Sequence, residues 1–248
     1  MLVVEDEPSV QELLDTVLQD AGFDVRVVGS GEAAIDVLAA ERFDVVVLDK
    51  NLPGVSGVDV LRVLRASDRD TGCVMATGYA SQQSARDTIN LGIDGYLTKP
   101  FDDISDIATC VRAAAQACGR RRRADPTGRA TEVLIACADQ TLTDQLRGCV
   151  PKAARARFAD CAATLLDRAR TSPGAVFVVD AQLSRGEAVQ VIRQLRDVAR
   201  DAVCFVIADS EPLAVLLAMI DLGVRGIIDK PVDVLDLRGR IELSARGL

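Results

Sequence analysis

Short apolar runs alternate with helix-period stretches along the whole chain. Runs rich in Val, Ile and Leu fall near residues 2–5, 24–28, 44–49, 73–77 and 94–98, and again near 132–137, 154–158, 175–180, 202–208 and 225–228. Between the runs of the first half, apolar positions recur at helical spacing near 8–20, 31–41, 56–66, 81–91 and 103–118. Pro8 suits a first helical turn, and Gly22 and Gly92 suit helix ends. The β-like runs are continuous rather than alternating, as expected for parallel strands covered on both faces. Strands alternating with helices predict βαβ units in a doubly wound α/β sheet.

The pattern occurs twice. Phe43–Asp49 and Ala175–Asp180 both end in Asp, and Leu91–Pro100 and Leu222–Pro231 share a Leu-Gly start and a Lys-Pro end. Asp49 and Lys99 are 50 residues apart, as are Asp180 and Lys230. The offset between copies, 131 residues from Asp49 to Asp180, far exceeds a solenoid unit. It predicts two copies of one domain, over 1–119 and 131–248. The intervening 120–130 reads as an Arg-rich linker with Pro126 and Gly128 as boundary marks. Its arginines read first as a solvated helix end that complements the helix dipole. The other reading is contact with a phosphate-bearing or acidic partner, such as the acidic first domain itself.

The length of 248 residues suits two ordinary domains, and 49% hydrophobic with 27% charged residues is a globular balance. No apolar run reaches the ~18 residues of a membrane span. The first residues lack a basic region and a cleavage site, so a cytoplasmic chain is expected. His is absent, which excludes Ser-His-Asp and Cys-His catalysis and a phosphohistidine within the chain. Aromatics are only 3%, with no Trp, which weakens a base-stacking nucleic-acid surface. The seven Cys lack CxxC spacing and read as buried, reduced thiols. Residues 1–119 carry 9 basic and 20 acidic side chains, which favours a cation or a basic partner over nucleic acid there.

Ligands of a doubly wound sheet sit at the carboxyl ends of its strands. In the first copy those ends carry Glu5-Asp6-Glu7, Asp49, Thr77-Gly78 and Lys99-Pro100. Carboxylates converging on one crevice repel unless a cation lies among them, and hard oxygen donors favour Mg²⁺. A carboxylate can also act as a nucleophile toward phosphorus, with Lys99 and Thr77 offering a point charge and a hydroxyl to the phosphoryl oxygens.

This set closely resembles the receiver domain of bacterial two-component response regulators. The matching stretches are Leu2–Pro8, Val47–Gly54, Ala76–Gly78 and Tyr96–Phe101, so the resemblance spans essentially all of 1–119. It implies a flavodoxin-like (βα)5 domain with a parallel five-stranded sheet in order 2-1-3-4-5. It makes Asp49 the phosphoacceptor and Glu5, Asp6 and Asp49 the Mg²⁺ side chains, with the Asn51 carbonyl as a further ligand. Thr77 and Lys99 would grip the phosphoryl group, and Lys99-Pro100 would be cis. Thr77 and Tyr96 would form the switch, while Asn51 and Tyr79 would tune phosphoryl lifetime. The donor would be a histidine kinase or phosphotransfer protein, and no independent enzymatic turnover is expected.

The second copy reads as a degenerate pseudo-receiver. Cys137 and Ala138 stand at the places of Glu5 and Asp6, Ala208 at Thr77 and Ile227 at Tyr96, while Asp180 and Lys230 remain. Lys230 can then neutralise Asp180 directly, with Asp139 the one candidate substitute metal ligand. Ser184-Arg185 replaces Pro53-Gly54. The second copy is expected to scaffold or transmit, with a homodimer through its helix 4–strand 5–helix 5 face. Leu213, Leu216, Leu217 and Ile220 lie there at helical spacing, a pattern that more often faces a core. No DNA-binding motif stands outside the two copies, so output through protein contacts is expected, without direct nucleic-acid or membrane binding. The alternatives are a non-phosphorylated scaffold, a fragment of a larger signalling protein, and an Asp-nucleophile phosphatase. The last lacks its usual second Asp, since Asn51 stands there.

Overall fold

The computed structural model describes residues 1–123, 132–184, 188–200 and 202–245. The chain divides into two compact units, Met1–Arg123 and Ala124–Leu248.

The first unit runs β1 (Leu2–Val4), α1 (Pro8–Asp20), β2 (Arg26–Val28), α2 (Gly31–Ala40), β3 (Val45–Asp49), α3 (Gly57–Ser67), β4 (Gly72–Thr77), α4 (Gln82–Asn90), β5 (Gly95–Thr98) and α5 (Ile104–Arg123). Its parallel sheet has the order β2-β1-β3-β4-β5. Every residue of β1, β3 and β4 is buried, because helices cover both faces of these central strands. β2 lies at the edge and is only half-buried. Val3, Val45, Val47, Val74, Leu14, Leu18, Ile107 and Val111 form one core on the α1/α5 side. Each such side chain contributes about 1.5–3 kcal/mol on burial.

Helix starts follow local chemistry. Pro8 opens α1, Ser30 and Ser56 cap α2 and α3 by accepting from the Ala33 and Asp59 N–H groups, and Ser81 and Ser84 form a reciprocal capping box on α4. These caps set the strand-to-helix loops, and hence where each strand-end side chain points.

The second unit runs β6 (Glu132–Ala136), α6 (Gln140–Arg147), β7 (Arg155–Ala159), α7 (Ala162–Thr171), β8 (Val176–Asp180), α8 (Ala188–Val198), β9 (Val203–Ile207), α9 (Leu213–Asp221), β10 (Gly226–Ile228) and α10 (Val234–Ala245). A short 3-10 turn, Ala181–Ser184, follows β8. Its sheet order is β10-β9-β8-β6-β7, the first order read from the other edge. The fold expected from the sequence, two α/β units with parallel five-stranded sheets in order 2-1-3-4-5, is the one observed. Lys99-Pro100 and Lys230-Pro231 are both cis.

Three expectations need correction. Arg120–Arg123 are not linker but the last turn of α5, while Asp125, Pro126, Gly128, Arg129 and the start of the second copy at 131 lie outside the described residues, as does Arg185. Arg121 and Arg122 are not simply solvated. Arg121 donates to both carboxylate oxygens of Asp94 at 2.6 and 3.1 Å and to the Asp70 carbonyl, and Arg122 pairs with Asp44 at 2.6 Å. Arg121 and Arg122 therefore bind the acidic first unit, the second of the two readings; the Asp94 carboxylate is buried and needs such a partner. Finally, Cys161 is exposed and Cys110 half-exposed; the other five cysteines are buried, and none of the seven is in a disulfide. Of the α9 stripe, Leu216 and Ile220 are core and Leu213 and Leu217 half-buried.

Candidate functional site

β1, β3, β4 and β5 lie side by side and parallel, so their carboxyl ends open on one crevice. Glu5 follows β1, Asp49 ends β3, Thr77 ends β4 and Lys99 follows β5. Lys99 Nζ donates to Glu5 Oε2 at 2.6 Å and to Asp49 Oδ2 at 2.7 Å. The other Asp49 oxygen accepts from the Asn51 N–H at 2.9 Å. Glu5 is only 1% exposed. Burial raises its carboxyl pKa above the ordinary value, against the opposing pull of Lys99. Burial acts downward on the Lys99 ammonium, but its bonds to Asp49 and Glu5 prevail and raise it.

One oxygen each of Glu5, Asp6 and Asp49 lies within 4.8 Å of the others. Opposed ligands of an octahedral Mg²⁺ stand about 4.2 Å apart, twice the ~2.1 Å ligand distance. Three hard carboxylate oxygens within 4.8 Å of one another, with solvent-facing Asp6 open to water ligands, are the donor type such an ion takes. The Lys99 ammonium, bonded to Glu5 and Asp49, carries one positive charge against three carboxylates, which leaves negative charge for a cation to offset.

Thr77 is fully buried, and its Oγ1 accepts from the Tyr79 N–H at 3.1 Å and from Asn51 Nδ2 at 3.5 Å. Tyr79 itself is 82% exposed at the mouth. Tyr96 is buried, with its hydroxyl 3.2 Å from Ser84 Oγ at the start of α4. Burial raises its phenol pKa, partly offset by that bond.

Glu5, Asp6, Asp49, Asn51, Thr77, Tyr79 and Lys99 thus gather at one strand-end crevice, while Tyr96 lies within β5 and meets α4 instead. Residues 1–112 match the family described as "Response regulator receiver domain".

The first unit is a response regulator receiver domain.

Among curated proteins, the DNA-binding response regulator MtrA of Mycolicibacterium smegmatis is 43% identical over 101 residues, 41% of this chain and 44% of that protein. The cell cycle transcriptional regulator CtrA of Caulobacter vibrioides is 30% identical over 128 residues, 52% of this chain and 55% of that protein. The chain spans about half the length of such relatives. Among solved structures, Vibrio cholerae chemotaxis protein CheY4 is 30% identical, covering 45% of this chain and 95% of that chain with a TM-score of 0.42. TrrA of Thermotoga maritima, solved in complex with Mg²⁺-BeF, is 30% identical, covering 44% of this chain and 96% of that chain with a TM-score of 0.40.

The second unit repeats the receiver topology with a different crevice. Lys230 Nζ lies 3.0 Å from Asp180 Oδ1, so the residual lysine pairs directly with the residual aspartate. Cys137 Sγ lies 3.5 Å from Asp180 Oδ2. Burial raises the thiol pKa, so Cys137 stays neutral where the receiver domain has a carboxylate. Asp139, the candidate substitute ligand, caps α6, its Oδ1 accepting from the Leu142 N–H at 3.0 Å. Among the described residues no acidic trio surrounds Asp180.

Sequence reasoning missed two contacts around the receiver crevice. Lys50 Nζ reaches the Tyr79 carbonyl at 3.4 Å across the mouth. Glu32 Oε1, on the first turn of α2, accepts from the Val55 N–H at 3.1 Å. Ser30-Gly31-Glu32 reads in sequence only as a helix start, and nothing in it specifies a partner in the loop after β3.

Proposed function

We propose that this chain is a response regulator in which Asp49 accepts a phosphoryl group from a histidine kinase or phosphotransfer protein. The arrangement that carries this reading is Lys99 bonded to Glu5 and Asp49 at once, beside three clustered carboxylates. Glu5, Asp6, Asp49 and the Asn51 carbonyl would hold Mg²⁺, which offsets charge on the phosphoryl oxygens when bound. An Asp49 carboxylate oxygen forms the new bond to phosphorus as the donor's bond to it breaks, and the donor group departs with that electron pair. The Asn51 N–H orients the carboxylate through its other oxygen. Lys99 exchanges its bond to Asp49 for one to a phosphoryl oxygen, and the Thr77 hydroxyl donates to another. Water later cleaves the acyl phosphate, returning the carboxylate and inorganic phosphate, and Asn51 and Tyr79 at the mouth set how fast.

Thr77 accepts hydrogen bonds from the Tyr79 N–H and, at longer range, from Asn51 Nδ2 at rest, and leaving them for a phosphoryl oxygen moves the loop that carries Tyr79 and leads to α4. Tyr96 touches α4 through Ser84, so the charge event reaches the α4–β5–α5 face. The pseudo-receiver takes no phosphate and scaffolds or transmits, pairing with a second copy through α9, β10 and α10. Similarity to relatives such as the DNA-binding response regulator MtrA favours a second reading, direct action on DNA. A gel-shift titration at low salt separates it from output through protein contacts alone.

The test is incubation with a small acyl-phosphate donor and Mg²⁺, read by intact mass, on wild type, Asp49→Ala and Asp180→Ala. One added phosphate, lost only in Asp49→Ala, is expected. Two phosphates would overturn the assignment of the second domain. None, with Mg²⁺ binding also absent, would leave a scaffold.

A further inference from the structure

We propose that Glu32 is a positioning residue for the loop that follows the phosphoacceptor; this rests on the reading of Asp49 given above. The loop 50–56 carries Asn51, whose N–H holds Asp49 Oδ1 at 2.9 Å. It is gripped at two points. At its end, Gly57 packs so tightly on the Asp49 carbonyl that a Cβ there would collide with it, and the Gly57 N–H donates to the Lys50 carbonyl at 3.2 Å. In its middle, the Val55 N–H donates to Glu32 Oε1 at 3.1 Å. Two glycines permit that second grip. A Cβ on Gly31 would collide with the Val55 carbonyl, and Gly54 has φ +75° with its missing Cβ 2.5 Å from Glu32 Oε1. Bonds from its own N–H first, and from Val55 second, hold the Glu32 carboxyl below its ordinary pKa, so it remains an ionised acceptor.

The second unit is an internal control. At the same offset of 131 residues, Ala162, Ala163, Arg185 and Ala188 stand at the positions of Gly31, Glu32, Gly54 and Gly57. All four parts of the grip are missing from the copy that also lacks the acidic pair, and β8 is followed instead by a 3-10 turn. Yet that copy keeps the strand order and parallel register. The fold therefore does not require the grip. Its company with Glu5, Asp6 and Asn51 points to the site: through Val55, Glu32 holds the loop where Asn51 can orient Asp49.

The test uses the full chain as wild type, Glu32→Ala and Glu32→Gln. Three quantities are read: Mg²⁺ affinity by calorimetry with the metal alone, the rate of phosphate gain from an acyl-phosphate donor, and amide exchange of residues 50–57 without metal. Glu32→Ala is expected to speed loop exchange and to cut Mg²⁺ affinity and phosphorylation rate about tenfold, a modest loss for a displaced reacting group. Glu32→Gln, whose amide oxygen still accepts from Val55, is expected to recover most of each. Wild-type affinity and rate in Glu32→Ala would overturn the proposal, even with a lowered unfolding midpoint, since Glu32 would then serve stability alone. A wild type that binds no Mg²⁺ and gains no phosphate would overturn the reading of Asp49, and this proposal with it. Faster loop exchange with unchanged chemistry in a phosphorylatable wild type would overturn only the proposal.

Discussion

Replacing Lys99 with Met removes the one ammonium between Glu5 and Asp49 while keeping the volume of the side-chain stem. Breaking a buried ion pair by deleting one partner costs about 3–5 kcal/mol. Lys99 is 17% exposed and the crevice opens to water, so the low end applies, about 3 kcal/mol. With a urea slope of about 1.5 kcal/mol per molar, the midpoint should fall by about 2 M. The chain offers a convenient probe. It has two Tyr and no Trp, and Tyr79 and Tyr96 both lie in the receiver domain, so tyrosine fluorescence follows that domain within the intact protein.

The pH dependence has a definite sign. Glu5 has a raised pKa when folded, so its protonated form favours the native state. Stability from this group is fully present below its unfolded pKa and is lost as pH rises through the folded value. Without Lys99 nothing opposes the effect of burial, so in Lys99→Met that loss should be deeper and extend to higher pH. Mg²⁺ should restore the mutant more than it stabilises wild type, because it supplies the missing positive charge. An unchanged urea midpoint in chelator at pH 7, or a mutant indifferent to Mg²⁺, would refute the account of a crevice whose carboxylates depend on a cation.

Four further outcomes are expected. Asn51→Ala should slow loss of phosphate from Asp49 in a chase of the phosphorylated protein, and an unchanged decay rate would remove Asn51 from hydrolysis. Asp94→Ala removes the carboxylate partner of Arg121 and Arg65 and the acceptor of the Cys73 N–H and should lower receiver stability by about 3 kcal/mol, read by the same urea titration. Native thiol labelling at pH 8 should reach exposed Cys161 first. Cys73, pushed up to about 12 by burial, and Cys149 and Cys204, pushed up to about 11, should label only after denaturation. Cys137→Glu with Ala138→Asp should give the second domain a measurable Mg²⁺ affinity if the absent acidic pair is what excludes the ion there; no gain would place the cause in the altered loop after β8.

The fold was legible because its information is local and periodic. Continuous β-branched runs such as Val45-Val46-Val47 have one stable fate in a chain this rich in intervening helices, burial between two helical layers. The 50-residue spacing of Asp and Lys in each copy is carried by the chain whatever it packs against. Boundaries were less legible. Helix α5 runs on to Arg123, and there Arg121 and Arg122 find the carboxylates of Asp94, just before β5, and Asp44, just before β3, partners 27 and 78 residues away in sequence.

By itself, the sequence determined the two-fold repeat, the α/β class, the set of strand-end side chains and the loss of the acidic pair from the second copy. Each is a matter of residue type and spacing along the chain. Only the tertiary structure decided which atoms meet: that Lys99 bridges Glu5 and Asp49, that Lys230 closes directly on Asp180, that Asp139 caps a helix, and that Glu32 reaches the loop after Asp49. Those contacts join residues brought together by sheet order and helix packing. Their energies depend on distance and burial, which no local pattern encodes.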